Sequence, residues 1–367
     1  MPAVEQVWPM KRAEAQAYED ELVYRAAELL LDAEGNGDAH SKMEAMAAEL
    51  NEQFKPHKDL SRQALLPLVA EALRRQMIRL VPPVSKELRD QLKAKYPNLA
   101  RPKVNVVLTS GPEDNHRVAA FAADRALAAL LRCSQQKQKQ GKAVGLGLGP
   151  GRATLEFCRF LSAALEHVPE DLRLRLVAIT AGCPAQLVEN APISFLNIFP
   201  ERHVETRFGL FAETLVPVRD FPELHRHIGV KEAFGAKDDI DVIVTAMGDF
   251  DDPHDLLRLF LKESGQDIER YRRRGWLGNV QYRPFTAKGP APEEPNDLRA
   301  VTVFELKDLA KRAGDRDKEV ILMSRQCALC RRQRPRVGAL RALLESDQLR
   351  VFTRLILDRA TANALLK

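Results

Sequence analysis

Val144-Gly145-Leu146-Gly147-Leu148-Gly149-Pro150-Gly151-Arg152-Ala153-Thr154 joins an apolar, strand-like segment to a helical pattern. Apolar residues recur at helical spacing over residues 155–168, so the run predicts a strand, a tight turn and a helix N-terminus. Glycines permit close backbone approach, and the first N–H groups of a helix are unpaired, so this turn can hold a phosphate. Arg152 and Thr154 stand where a charged contact and a hydroxyl contact are useful. A plain strand–helix turn is the alternative.

Apolar segments alternate with helical patterns on both sides of this run. Such alternation is typical of βαβ units and predicts an α/β fold with a largely parallel sheet. The predicted strands are 104–109, 143–148, 174–180, 240–246, 320–323 and 349–357. The predicted helices of this part are 116–131, 155–168, 256–273 and 337–346.

The first eighty residues differ, because their pattern is helical and contains no convincing buried strand. Two apolar-faced helices are predicted at 21–31 and 42–50, and a third begins after Asp59 or Ser61 as its N-cap. A short strand at 76–80 would form a wing. The predicted division is a helix-turn-helix domain at 1–83, a connector at 84–102 and an α/β domain at 103–367.

This helical part is typical of DNA-binding domains. In a helix-turn-helix the N-terminal residues of the second helix meet base edges, so Arg62 and Gln63 are expected to read DNA, with Ser61 near a phosphate. A packing or dimerisation module is the alternative, because the connection at 51–58 is long and Pro67 lies within the third helix.

Composition narrows the class of protein. The 367 residues are 45% hydrophobic and 29% charged, as in ordinary globular proteins, and the net charge of +5 permits a nucleic-acid partner. No apolar run approaches the roughly 18 residues of a membrane span, so no membrane partner is expected. Five scattered cysteines argue against a disulfide framework and for a cytoplasmic location.

Several segments together resemble one known family. They are Leu60–Gln63 continuing through Arg74–Leu80, Gly147-Leu148-Gly149-Pro150-Gly151-Arg152-Ala153-Thr154-Leu155, Thr245-Ala246-Met247-Gly248-Asp249, Gly275-Trp276-Leu277-Gly278-Asn279-Val280, and the tail Leu349–Leu366. In order and spacing they resemble the sorbitol-operon (SorC) type of bacterial transcriptional regulators. The resemblance spans nearly the whole chain. Ala153 is one residue more than the family's phosphate loop has, and Asn279 replaces an acid.

The resemblance implies a winged helix-turn-helix domain and a Rossmann-like, sugar-binding α/β domain. It further implies a DNA operator and a phosphorylated sugar as partners, and a homodimer or homotetramer, because palindromic operators require two-fold symmetry. Arg336 stands where the family has the lysine of a Gly-Gly-x-x-Lys turn, whose glycines are missing here. Gly182 follows the third strand and fits either a second N–H site or a plain turn. The expected effector-binding residues are Gly149, Gly151, Arg152, Ala153, Thr154, Gly182, Gly248, Asn279 and Arg336.

Two further features leave alternatives open. The segment Gly248-Asp249-Phe250-Asp251-Asp252-Pro253-His254-Asp255 could serve acid–base chemistry, which makes an isomerase- or deaminase-like enzyme of sugar phosphates the alternative function. A helix N-terminus carrying acidic residues is the simpler interpretation. Cys327 and Cys330 have the spacing of a zinc or redox pair, but no second pair is present, although Cys183 or a histidine could join them. We therefore assign no catalytic residue, no metal ligand and no cofactor.

Overall fold

The computed structural model describes residues 19–31, 39–56, 58–74, 81–138, 141–168, 171–182, 184–327, 329–330 and 335–367. The chain divides into two compact units, Met1–Leu80 and Val81–Lys367. No helix among the described residues combines the length and apolar character needed to cross a lipid bilayer.

The described residues of the first unit form a cluster of three helices: α1 (Asp20–Leu31), α2 (Ala39–Phe54) and α3 (Arg62–Arg74). Their apolar faces meet in a small core that includes Leu22, Val23, Ala26, Ala47, Leu50, Leu65, Leu68 and Ala72. Pro67 lies inside α3 on its exposed side. The predicted wing at 76–80 lies outside the described residues.

The α2–α3 connection is longer than a standard helix-turn-helix turn because α3 begins only at Arg62. The side chain of Asn51 holds this connection in place by two hydrogen bonds. Its Nδ2 donates to the Leu60 carbonyl at 2.9 Å, and its Oδ1 accepts from the Leu60 N–H at 2.7 Å. Both backbone groups of Leu60 are therefore satisfied by one amide, which fixes where α3 starts.

The second unit contains eleven α-helices and twelve strands among its described residues. The helices are α4 (Lys86–Lys95), α5 (His116–Gln138), α6 (Arg152–Leu165), α7 (Pro192–Phe195), α8 (Phe221–Leu224), α9 (Lys231–Gly235), α10 (Leu256–Glu263), α11 (Ile268–Arg273), α12 (Leu306–Gly314), α13 (Val337–Glu345) and α14 (Arg359–Leu366). The strands are β1 (Lys103–Val107), β2 (Val144–Leu148), β3 (Leu174–Ala178), β4 (Val204–Phe208), β5 (Leu215–Pro217), β6 (Ile240–Asp249), β7 (Gly278–Val280), β8 (Arg283–Thr286), β9 (Gly289–Pro290), β10 (Leu298–Ala300), β11 (Glu319–Ser324) and β12 (Arg354–Asp358).

Seven of these strands form one parallel sheet in the order β1-β12-β11-β6-β2-β3-β4. The central strands are buried along their length, as both faces of a parallel sheet are covered by helices. The end of β6 continues into an antiparallel extension with β7, β8 and β9. The predicted α/β fold with a helical N-terminal unit is confirmed.

The connections change direction between β2 and β6. From β2 the chain crosses to β3 on one side, whereas β6, β11 and β12 follow one another on the other side. Right-handed crossovers consequently place α6 and α13 on opposite faces of the sheet. Ligands of open α/β sheets bind beside the carboxyl ends of strands at such a switch point. The glycine run leaves β2 at that point.

The glycines of β2 serve packing. A Cβ on Gly145 would lie 2.2 Å from the Asp239 carbonyl oxygen and 2.6 Å from the Ile240 Cα, so the neighbouring chain can approach only because no side chain is there. A Cβ on Gly147 would lie 3.0 Å from Ile179 Cγ2. Only Gly151, with a φ of 107°, makes the turn itself.

Several elements of the α/β unit differ from the predicted ones, and two of the differences have a clear local cause. The predicted helix at 256–273 is two helices, α10 and α11, because Gly265 has a φ of 72° and Asp267 caps α11 by accepting the Glu269 N–H at 2.9 Å. The edge strand β4 was not predicted, since Glu205 and Arg207 interrupt its apolar pattern.

The predicted connector at 84–102 packs within the α/β unit. Leu92 and Leu99 of this segment belong to the main hydrophobic core. The Tyr96 hydroxyl donates to the Leu365 carbonyl at 3.1 Å, and Lys95 Nζ donates to the same oxygen at 2.8 Å. This segment is therefore tied to the C-terminal helix α14. Its role in transmitting a change stays a prediction.

Candidate functional site

A cavity of about 250 Å³ opens at the carboxyl ends of β2, β6 and β11. It lies at the switch point of the sheet, where α/β proteins bind their ligands. Its wall is formed by the start of α6, the end of β6, the start of α10, the β7–β8 turn and the segment after β11.

The start of α6 forms one side of the cavity. Gly151, Arg152 and Ala153 line it, and Gly151 has no side chain with which to cap the helix. The first intrahelical hydrogen bond runs from the Leu155 N–H to the Gly151 carbonyl. The N–H groups of the first turn are thus left for a ligand, and the helix dipole favours an anion there. The exposed Arg152 side chain adds positive charge at the same place.

Three expected effector residues lie outside the lining of this cavity. Thr154 is fully buried and its hydroxyl donates to the Pro150 carbonyl at 3.3 Å, which is a common bond for threonine inside a helix. Gly149 packs against Thr245, and Gly182 forms a turn of positive φ against Thr214. These residues shape the turns around the site, and any contact between them and a ligand stays a prediction.

Arg336 also lines the cavity. It donates to the Met247 carbonyl and, at 3.2 Å, to Asp252 Oδ2. Burial acts to lower the pKa of this guanidinium, but the nearby carboxylates of Asp252 and Asp255 raise it above its ordinary value. Arg336 therefore stays charged beside the cavity.

Arg325 is a second buried arginine of the lining, and the sequence did not single it out as a site residue. It follows β11 directly and makes a two-pronged ion pair with Glu156 of α6, at 2.5 Å and 2.9 Å. It also donates to the Asn115 carbonyl at 2.7 Å. Through the two hydrogen bonds to Glu156, Arg325 holds α6 against the end of β11.

A polar pair, Asp255 and Asn279, lines the floor of the cavity. Asn279 Nδ2 donates to Asp255 Oδ2 at 2.9 Å, and Asp255 Oδ1 caps α10 by accepting the Arg258 N–H at 2.9 Å. Burial raises the pKa of Asp255 to about 6. A Cβ on Gly248 would lie 2.0 Å from Asp255 Oδ2, so the pair fits only above a glycine. The helix-N-terminus interpretation of this acidic segment agrees with the cap.

Two buried amides complete the polar lining. Gln281 is 1% exposed, and neither atom of its amide has a hydrogen-bond partner among the described residues. Asn190 is also buried, and its Oδ1 has no partner within the same part of the chain. Buried polar groups are normally paired, so these atoms are available to a ligand. Neither residue was among the expected site residues.

The cysteine pair lies at the rim. Cys327 lines the cavity, and Cys330 Sγ lies 3.3 Å from His254 Nδ1. Burial and hydrogen bonding to Asp252 raise the pKa of Cys330 to about 12. A redox-active thiol needs a lowered pKa, so this environment disfavours the redox alternative.

In the first unit, Ser61, Arg62 and Gln63 stand together at the start of α3. Ser61 and Gln63 are exposed, and Arg62 Nη1 lies 2.9 Å from His40 Nε2. The three side chains are accessible where a recognition helix meets DNA. Their contact with bases stays a prediction.

No protein-family model and no curated protein sequence matches this chain. The fold, by contrast, is that of transcriptional regulators with a helical N-terminal part and a C-terminal α/β domain. The full-length sorbitol operon regulator SorC of Klebsiella pneumoniae matches with a TM-score of 0.62 and 14% identity, over 95% of this chain and 100% of that one.

Two other solved structures match about three quarters of the chain. A DeoR family transcriptional regulator from Listeria monocytogenes has a TM-score of 0.55 and 18% identity, over 76% of this chain and 98% of that one. A domain described as sugar-binding, from a transcriptional repressor of Vibrio fischeri, has a TM-score of 0.50 and 17% identity over 77% and 98%. The resemblance found in the sequence is thus confirmed at the level of the fold.

Proposed function

We propose that this protein is a DNA-binding transcriptional regulator whose α/β unit binds a phosphorylated sugar or a related metabolite. One observation carries the proposal: the switch-point cavity combines an uncapped helix N-terminus with the buried amide of Gln281 and the amide oxygen of Asn190, which have no partner among the described residues. The similarity to the Klebsiella regulator, which extends over 95% of this chain and so includes the helical unit, supports the regulatory function.

The parts of the cavity lining differ in chemistry and so orient a ligand. The start of α6, with Arg152, suits a phosphate. Asp255, Asn279 and Gln281 also line the cavity, and their carboxyl and amide groups suit sugar hydroxyls. A phosphate placed beside them would meet the Asp255 carboxylate, so the reverse orientation is disfavoured. Arg336, in the same lining, adds a charged donor.

A thermal-shift screen of sugar phosphates tests this site. A ligand present at about a hundred times its dissociation constant stabilises the folded state by about 2.7 kcal/mol. We expect at least one phosphosugar to raise the melting temperature, and Arg152→Ala to reduce the shift. Arg159→Ala, which removes an exposed arginine from the same helix but not from the cavity, is the matched control. An unchanged thermal shift in Arg152→Ala would contradict the proposal that the phosphate binds at the start of α6.

DNA binding is tested separately, with the upstream DNA of the protein's own gene. Arg62→Ala should weaken binding to this fragment by about 1–3 kcal/mol and relax its sequence preference. Arg226→Ala, an exposed residue of the α/β unit, removes the same charge as a control. Sedimentation should give a homodimer or homotetramer, because a palindromic operator needs two-fold symmetry. A monomer that binds no DNA would contradict the regulator.

The enzyme alternative is favoured by a single observation. Asp255, whose pKa is raised to about 6, and His254 both line the cavity, and such groups can transfer protons. Turnover of any phosphosugar that binds, lost in His254→Ala, would establish it. We expect binding without turnover, because Asp255 already caps α10 and accepts from Asn279.

A further inference from the structure

Four potential metal ligands converge at the carboxyl ends of β6 and β11. One ligand atom each of Asp252, His254, Cys327 and Cys330 lies within 4.8 Å of all the others. Cys330 Sγ is 3.3 Å from His254 Nδ1 and 3.3 Å from Asp252 Oδ1. His254 Nδ1 is 3.6 Å from Cys327 Sγ and 3.3 Å from Asp252 Oδ1.

These separations fit a ligand tetrahedron. Zinc bonds of about 2.3 Å to sulfur and about 2.0–2.2 Å to nitrogen or oxygen, at tetrahedral angles, place ligand atoms about 3.3–3.8 Å apart. Four of the six separations are 3.3, 3.3, 3.6 and 3.3 Å, and the other two are within 4.8 Å. We propose that Asp252, His254, Cys327 and Cys330 bind one Zn²⁺ ion.

The donor set selects the metal. Two thiolates and an imidazole in tetrahedral arrangement suit Zn²⁺, whereas Mg²⁺ and Ca²⁺ require oxygen ligands. Four protein ligands fill the tetrahedron and leave no position for water. The ion is therefore structural, and it stabilises the fold instead of activating a substrate.

The surrounding hydrogen bonds orient the carboxylate. The backbone N–H of His254 donates to Asp252 Oδ1 at 2.9 Å, and Arg336 Nη2 donates to Asp252 Oδ2 at 3.2 Å. Such partners hold a metal-binding carboxylate in place and are a regular part of zinc sites. Arg336 also lines the cavity, so it contacts both the zinc site and the candidate effector site.

The ion would join two separate parts of the chain. Asp252 and His254 belong to the turn between β6 and α10, whereas the cysteines belong to the segment after β11. His254 and Cys327 line the cavity, so the zinc would fix one of its walls. Zinc binding itself does not depend on the proposed function, because the four ligands are present whether or not the cavity holds an effector.

Metal content of the full-length protein tests the proposal. Wild type, loaded with Zn²⁺ in a reducing buffer and dialysed, should retain about one ion per chain by mass spectrometry of the metal. The double variant Cys327→Ser/Cys330→Ser should retain about none. Cys133→Ser, which removes a half-buried free cysteine on α5, is the matched control and should retain the ion.

Cobalt provides a second measurement that does not require a folded double variant. Wild type titrated with Co²⁺ should develop the strong visible bands and the thiolate charge-transfer band of a tetrahedral site, and Zn²⁺ should abolish them. His254→Gln, a change at a partly exposed side chain, should weaken both bands. Wild type that retains no metal and gives no bands would overturn the proposal. So would equal metal content in the double variant, or a Cys327–Cys330 disulfide in the reduced, zinc-loaded protein.

Discussion

Gln281 is a buried amide that we expect to bind a ligand at a cost in stability. Its amide is buried in the cavity wall without a partner among the described residues, and an unmade buried hydrogen bond costs about 1–3 kcal/mol. Gln281→Met keeps the length and removes the polar atoms. We expect the variant to be about 1 kcal/mol more stable to urea without ligand, and to bind a phosphosugar about tenfold more weakly.

A surface glutamine is the control for this change. Gln91→Met on α4 replaces an exposed amide and should alter the free energy of unfolding by less than about 0.5 kcal/mol, with no change in ligand binding. Loss of stability in Gln281→Met, with ligand affinity retained, would mean that the amide serves the fold and contacts no ligand.

Gly248 lies directly beneath the Asp255–Asn279 pair of the cavity floor. A Cβ there would lie 2.0 Å from Asp255 Oδ2 and 2.4 Å from Asn279 Nδ2, so Gly248→Ala must push the pair apart. We expect a loss of about 1–3 kcal/mol in the free energy of unfolding, together with loss of the ligand-induced thermal shift. Gly314→Ala, where a Cβ meets nothing within 4 Å, should be neutral or slightly stabilising. Equal urea midpoints for the two variants would contradict this.

At the scale of elements, the α2–α3 connection depends on the side chain of Asn51. Asn51→Ala leaves the N–H and carbonyl of buried Leu60 without their bonds, which costs about 1–3 kcal/mol. Hydrogen exchange in α1–α3 should accelerate, and DNA affinity should fall because α3 carries Arg62. The phosphosugar-induced shift of the α/β unit should be unchanged. Glu52→Ala, on an exposed neighbour, should change neither quantity; equal exchange in both variants would show that the connection needs no fastening.

The central strands of the sheet were predicted from the sequence because they are buried on both faces. β2, β11 and β12 read as continuous apolar segments because helices cover both faces of the sheet. The edge strand β4 is only partly buried, and its charged residues interrupt the apolar pattern from which a strand is predicted. Gly265 and Asp267 mark the break between α10 and α11 in the sequence. The apolar periodicity alone does not reveal this break.

At the scale of the whole molecule, strand order determines which residues meet. The glycine turn and Arg336 were found from the sequence because local pattern and resemblance marked each of them. His254 and Cys327 are 73 positions apart and meet because β6 lies beside β11. No local pattern encodes that adjacency. The same holds for Gln281, which the β7–β8 turn carries to the switch point.

The proposed regulator links two sites on one chain, and thermodynamics makes that link reciprocal. If an effector changes DNA affinity by some factor, DNA must change effector affinity by the same factor, usually about 5–150-fold. We expect this equality when DNA binding is titrated with and without phosphosugar, and phosphosugar binding with and without DNA. Arg152→Ala should abolish the effect of the sugar while the free protein still binds DNA. Arg62→Ala should abolish the effect of DNA while the free protein still binds the sugar. A phosphosugar that binds tightly but leaves DNA affinity unchanged has equal affinity for both states, and would therefore be a bound ligand without regulatory effect.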